Sequence, residues 1–250
     1  MNSYKVLFLI AQKYVKGYPT FVEYYVNNIR TMYPDNSFIV IVDNNSTFFD
    51  EIKERVGERD NCVILSNTGE CKFELGAYQI GMKYIIEHDL HVQYDYCVFS
   101  QDTFVLKNKF PFETLFRNNV LATPLYLYPV SDIHEYYTPF VQNILRKHDL
   151  LQYLPMHTVC WANSFVLHKS VFAEFQRMVE GIVVLIKEEA CYCERFFGVM
   201  IYRLNGCRHY SIEKQLLYDF WHADIPNMQT DAYFVKKVTD KREGVQDILQ

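Results

Sequence analysis

Four short apolar runs, each cut off by turn formers and separated by helical sequence, constrain this chain more than any other feature. They are Val6-Leu7-Phe8-Leu9-Ile10, Ser37 to Val42, Cys62 to Leu65 and Asp95 to Ser100. Each is too short for a helix, and the second and third are rich in β-branched residues, the pattern of buried parallel strands. Between the first two, Thr20 and Glu23 have capping-box spacing. Phe21, Tyr25, Ile29 and Met32 then recur at helical intervals until Pro34 ends the helix. A short polar helix is expected over Phe49 to Val56 and a longer one over Glu74 to Glu87. The order β-α-β-α-β-α-β predicts an α/β fold, a mostly parallel Rossmann-like central sheet flanked by helices. Ligands of such sheets bind outside the carboxyl ends of the strands. The loops that begin at Ala11, Asp43, Asn67 and Gln101 are therefore expected to share one rim.

The second half is less regular. A strand and an aromatic loop are expected within Asn118 to Pro129, a helix over Pro139 to Tyr153, and one strand over His157 to Leu167 around Trp161. A helix begins at Ser170, with Phe172, Phe175, Met178 and Val179 inward. Another runs from Glu188 to Leu204 and closes on Asn205-Gly206. No repeat or linker divides the chain. It reads as one domain over 1–250, with a ligand-binding half at 1–110, a second half at 111–230 and a charged peripheral tail at 231–250.

Composition narrows the function classes. Hydrophobic residues make up 50% and charged residues 22% of the 250, which suits a globular domain rather than a disordered chain. The net charge of -5 and the lack of a basic run argue against nucleic-acid binding. No apolar stretch is long enough to span a bilayer, and the first apolar run is too short for a signal peptide, so the expected location is cytoplasmic. The 7 cysteines are odd in number and scattered, with Cys191 and Cys193 the only close pair. They read as reduced structural residues rather than a zinc site. The segment Ala11-Gln12-Lys13-Tyr14-Val15-Lys16-Gly17 lacks the glycines of a phosphate loop, which weighs against nucleotidyltransferases and dinucleotide-dependent oxidoreductases.

Four stretches together resemble the GT-A glycosyltransferases, in particular their family-2-like group. They are the first strand with its amphipathic helix, Ile39-Val40-Ile41-Val42-Asp43-Asn44-Asn45-Ser46, Asn67 followed by Gly76-Ala77-Tyr78-Gln79-Ile80-Gly81, and Tyr94-Asp95-Tyr96-Cys97-Val98-Phe99-Ser100-Gln101-Asp102. They occur in the family's order. The resemblance implies a GT-A-like domain that takes a nucleotide-sugar donor, most simply a UDP-sugar, and a glycan or other hydroxyl acceptor. Ala11, Asp43, Asn67, Gly76, Gln101 and Asp102 would line the donor pocket. Lys72 or Glu74 could also approach the donor, and neither is assigned a role. Asp102 is the second acid of the family's DxD motif and would hold Mn²⁺ or Mg²⁺ at the diphosphate. The chain departs from the motif at its first acid, where Ser100 stands. His222, or less well His209, would complete the metal shell. Glu194, in Cys193-Glu194-Arg195-Phe196-Phe197-Gly198, matches the acid that deprotonates the acceptor, and an inverting transfer is implied. A retaining transferase and a catalytically silent binding protein of the same fold are the alternatives. Asp95 reads as structural. Trp161 reads as either a sugar platform or a core residue.

Overall fold

The computed structural model describes residues 4–13, 21–46, 49–57, 61–128, 138–154, 159–210, 216–219, 230 and 232–237. The first half runs β1 (Val6–Gln12), α1 (Val22–Met32), β2 (Ser37–Asp43), α2 (Phe49–Val56), β3 (Cys62–Ser66), α3 (Phe73–Glu87), α4 (Leu90–Gln93), β4 (Tyr96–Gln101), β5 (Phe104–Leu106) and α5 (Phe112–Arg117). The second half runs β6 (Ala122–Pro124), β7 (Leu127–Tyr128), α6 (Pro139–Lys147), β8 (Val159–Cys160), β9 (Phe165–His168), α7 (Lys169–Val179), α8 (Lys187–Leu204), β10 (Leu216–Asp219) and β11 (Phe234–Lys237).

The central sheet has six strands in the order β3-β2-β1-β4-β9-β6. The four expected strands form its parallel part, and β9 pairs antiparallel with both β4 and β6. This is the α/β architecture expected from the alternating runs. Every residue of β1 is buried because the strand is covered on both faces. Val6, Phe8 and Ile10 point into a cluster with Tyr25, Val26 and Ile29 of α1. Leu7, Leu9 and Ala11 point into a larger cluster with α3, α7 and α8. Alternation along β4 is the same, with Tyr96 and Val98 on the α1 side and Cys97 and Phe99 on the other.

Several expectations change in detail. Thr20 lies outside the described residues, and α1 begins at Val22 with Phe21 at its N-cap and no side-chain cap. The helix expected to reach Tyr153 stops at Lys147. Asp149 then takes a left-handed φ of 56°, and a 3₁₀ turn covers Leu151–Tyr153. The single strand expected around Trp161 is two strands, β8 and β9. They are split by a 3₁₀ turn, Trp161–Asn163, in which Ala162 and Asn163 have φ of 57° and 50°. A left-handed residue cannot continue a strand, so the chain breaks there. The tail is not wholly peripheral. β11 is the middle strand of the three-stranded sheet β10-β11-β5, and Phe234 is fully buried.

All seven cysteines are free thiols. Among the described residues no helix is long and apolar enough to cross a membrane. Asp95 is structural as expected: it accepts the Lys5 backbone N–H and pairs with Lys169 at 2.9 Å.

Candidate active site

Parallel register aligns the carboxyl ends of four strands. Gln12 stands beside Asp43, Asp43 beside Ser66, and Ala11 beside Gln101. The backbone ladder continues one step past the strands, with Asn44 N–H to the Gln12 carbonyl, Asn67 N–H to the Asp43 carbonyl and Asp102 N–H to the Ala11 carbonyl. These bonds hold the four loops in one row. The sheet reverses direction of growth between β1 and β4, so the row lies at a topological switch point, where open α/β sheets bind ligands.

The side chains expected to line the donor pocket differ in how they are engaged. Asp43 is fully buried, and its carboxylate accepts both the backbone N–H and the hydroxyl of Ser46, a turn-closing role. Burial pushes its pKa up, against the Ser46 hydrogen bonds and the nearby Lys13 charge, which pull it down. Asn67 donates to the Asn44 side chain and the Cys71 carbonyl, both at 2.9 Å, and accepts the Gly69 N–H. It knits the loop between β3 and α3. Gly76 lies behind that loop. A Cβ there would sit 2.0 Å from the Cys71 carbonyl oxygen and 2.6 Å from Asn67 Nδ2, so it shapes the loop from beneath. Gly81 instead packs on Leu9, within the core. Ala11 contributes its backbone, its methyl being buried in the larger cluster. Beside it Gln12 is fully buried with neither amide atom hydrogen-bonded.

Asp102 is half-buried at the tip of β4. Its Oδ2 accepts the Lys13 N–H at 3.2 Å, and its carbonyl accepts the Phe21 N–H. Ser100 belongs to a different environment. It is fully buried, and its hydroxyl meets the Tyr25 hydroxyl at 3.0 Å. Position 100 thus faces α1, and the expected vacancy in the two-acid motif is a filled core position. Among the described residues no group of three or more His, Cys, Asp or Glu side chains gathers for a metal. The Asp102 carboxylate offers oxygen donors, the ligand type that hard divalent ions take. His222 lies outside the described residues. His209 packs its ring at a tilt against Tyr202, with centroids 4.5 Å apart, and burial lowers its pKa.

Gln101 links this row to the second half. Its Nε2 donates to Glu74 Oε1 at 3.0 Å and to the Ala162 carbonyl at 2.9 Å. Glu194 of α8 reaches the same turn: Oε1 accepts the Ala162 N–H at 2.9 Å, and Oε2 accepts from Arg195 at 3.2 Å. The Tyr78 hydroxyl donates to the Asn163 carbonyl at 2.9 Å, and Asn163 Nδ2 donates to the Ala190 carbonyl. Two consecutive left-handed residues other than glycine cost about 1–3 kcal/mol each. Three side chains that converge on the turn, Gln101, Glu194 and Tyr78, and that of Asn163 itself hold it in that conformation. Glu194 therefore arrives at the rim by way of Ala162.

Sequence reasoning missed part of this arrangement. Glu74 lies in the first turn of α3, where an acid is ordinary, and Asn163 in what read as a strand. Lys187 was placed just before its helix; its ammonium is 5.5 Å from the Phe73 ring centroid, and the Glu74 charge foremost raises its pKa. The readable signal was Gly76, two residues beyond Glu74, whose missing Cβ lets the start of α3 lie against Asn67 and Cys71. Trp161 is partly exposed and sits edge-on to Tyr126, with centroids 6.1 Å apart.

No protein-family model matches the chain, and no curated protein matches it. Among solved structures, glucosyl-3-phosphoglycerate synthase from Mycobacterium tuberculosis, in complex with phosphoglyceric acid, is similar over 67% of this chain and 58% of its own length. The identity is 12% and the TM-score 0.40.

Proposed function

We propose that this chain is a glycosyltransferase that moves a sugar from a nucleotide-diphosphate sugar, in the first instance a UDP-sugar, to a hydroxyl of a glycan or similar acceptor. The observation that supports it is the meeting of two sets of groups at one switch-point rim. Asp43, Asn67 and Asp102 come from the parallel strands, and Glu194 comes from α8 across the Gln101–Ala162 link. In this reading Asp43 and Asn67 order the loops that hold the nucleoside. Asp102 faces the diphosphate. Glu194 takes the acceptor proton as the hydroxyl attacks the anomeric carbon, which is inverted. Mn²⁺ or Mg²⁺, when bound with the diphosphate, would offset charge on the departing phosphate oxygens. The one described side chain assigned to it is Asp102.

The test is a thermal-shift screen of nucleotide sugars with Mn²⁺, run on wild type and on Asp102→Ala. One donor should stabilise the wild type, and the variant should lose most of the metal-dependent part. An unchanged response in the variant removes Asp102 from the site.

A second reading, a catalytically silent binder of nucleotide sugars, draws support from the Ser100–Tyr25 contact, which leaves one acid where the resemblance calls for two. Donor hydrolysis and transfer assays with and without Mn²⁺ separate the two. Tight donor binding without turnover under any metal would sink the enzyme reading.

A further inference from the structure

One chemical demand is left open on the α8 side of the rim. Asn163 is 3% exposed; its Nδ2 is bonded to Ala190, while its buried Oδ1 receives no hydrogen bond. Glu74 repeats the pattern: Oε1 accepts from Gln101, while Oε2 is buried and receives none. Both belong to one hub, because the Gln101 amide that bonds Glu74 also bonds the carbonyl of Ala162, the residue before Asn163. Buried polar atoms almost always have partners, so two open ones at a single hub call for an explanation.

Both open atoms are acceptors, and the donors that reach the turn are bonded elsewhere. The Ala162 N–H goes to Glu194, the Gln101 amide to Glu74 and Ala162, and Arg195 Nη1 to Glu194 and the Cys191 carbonyl. What would satisfy the hub is a molecule that brings donors. An anion is excluded, since it offers only acceptors. The Lys187 ammonium, 5.5 Å from the centroid of the Phe73 ring next to Glu74 in the chain, already supplies positive charge on that side and disfavours a second cation. A neutral polyol remains. Two partly exposed rings flank the hub in sequence, Phe73 before Glu74 and Trp161 before Ala162. Phe73, Ala162 and Asn163 all hold left-handed backbone, and such strain gathers at ligand sites. Aromatic faces together with convergent carboxylate and carboxamide oxygens suit a sugar ring, which has apolar C–H faces and donating hydroxyls.

We propose that Glu74 Oε2 and Asn163 Oδ1 form a hydroxyl-accepting subsite for a sugar ring. This rests on the glycosyltransferase reading and gives that site its carbohydrate end. The ring could be the transferred sugar of the donor or a sugar of the acceptor, and the experiment separates them.

Calorimetric titrations of wild type, Glu74→Ala and Glu74→Gln would use UDP, three UDP-sugars (glucose, galactose and N-acetylglucosamine) and the matching methyl glycosides. UDP should bind wild type and Glu74→Ala within about twofold. A sugar-bearing ligand should bind Glu74→Ala at least about tenfold more weakly, the effect expected on losing a hydrogen bond to a charged group. Glu74→Gln keeps one acceptor oxygen and should lose about three- to tenfold, which carries the test if the alanine variant does not fold. A loss seen with UDP-sugars assigns the ring to the donor; a loss confined to methyl glycosides assigns it to the acceptor. Equal losses for UDP and its sugars, or no loss for any ligand, overturn the subsite and leave the transferase reading standing. A wild type that binds neither nucleotide nor glycoside overturns both.

Discussion

Residues 37–43 and residues 159–168 deliver groups to the same rim by different means. β2 is held by backbone pairing on both sides, and Asp43 arrives at its end because the parallel register aligns it with Gln12 and Ser66. The β8–β9 segment has short pairings, and its turn is held by side chains from elsewhere: Gln101 from β4, Tyr78 from α3 and Glu194 from α8. In the first region the backbone sets the geometry and side chains are added to it. In the second, side chains set the backbone. Mutation should therefore act differently in the two. Truncating a side chain at the strand ends should leave the rim in place, whereas truncating one at the turn should release it.

Substitutions at four positions probe that contrast, in order of expected effect on stability. Gly76→Ala attacks the backbone-built region where it is tightest. With 2.0 Å between the new methyl carbon and the Cys71 carbonyl oxygen, a loss of about 3 kcal/mol is expected. For a chain of this size that corresponds to roughly 6–12 °C in melting temperature by calorimetry. A variant that melts with wild type would show that the loop yields, and the contrast would fail on that side.

Glu194→Ala removes the acceptor of the Ala162 N–H and should cost about 2 kcal/mol in urea unfolding. Glu194→Gln retains an acceptor oxygen and should recover at least half of that. Under the proposed function it should still lose transfer by about 10²–10⁴-fold, the range for a general base. Full transfer activity in the glutamine variant would leave Glu194 as a clamp and no more.

Tyr78→Phe deletes the hydroxyl that serves the Asn163 and Ser100 carbonyls. A loss of about 1–2 kcal/mol is expected from the urea midpoint, with the Trp161 fluorescence of the turn changing alongside. A stability loss without that change would mean that the turn does not depend on Tyr78.

The smallest effect is a pH slope at Asp43. Its pKa is raised in the fold, so the native state holds the proton more tightly than the unfolded chain does. The contribution to stability is full below the ordinary carboxylate range and is lost as pH rises through the raised value. Asp43→Asn has no such proton to lose. Its stability relative to wild type should rise with pH across that window, measured by urea titrations at several pH values. A flat difference would mean that burial does not dominate at Asp43.

The same contrast explains what could be read from the sequence. The four parallel strands and the row of loops at their ends were legible because run length and β-branching are local signals, and parallel register follows from them. The inward residues of α7 were legible from helical spacing. The turn at Ala162-Asn163 was not: alanine carries no left-handed signal, and the residues that hold the turn lie far away in sequence. Glu74 was legible only as a residue that could approach the donor, because an acid at a helix start is ordinary. β11 was hidden because Phe234 and Val235 are followed by Lys236 and Lys237, which read as a solvated tail. Ser100 stands where the resemblance expects an acid, and strand alternation places it with Tyr96 and Val98, on the α1 side.

That last position bears on how such a site can change over time. With the Ser100 hydroxyl against Tyr25 and no solvent exposure, an aspartate introduced there alone would be a buried charge without a cation to meet it, and the fold would lose stability before any metal affinity could be gained. Burial already holds the Tyr25 hydroxyl neutral, so it could offer such a carboxylate only a hydrogen bond. Under the proposed function, a second acid for a metal would have to come with a change in α1, or from outside β4.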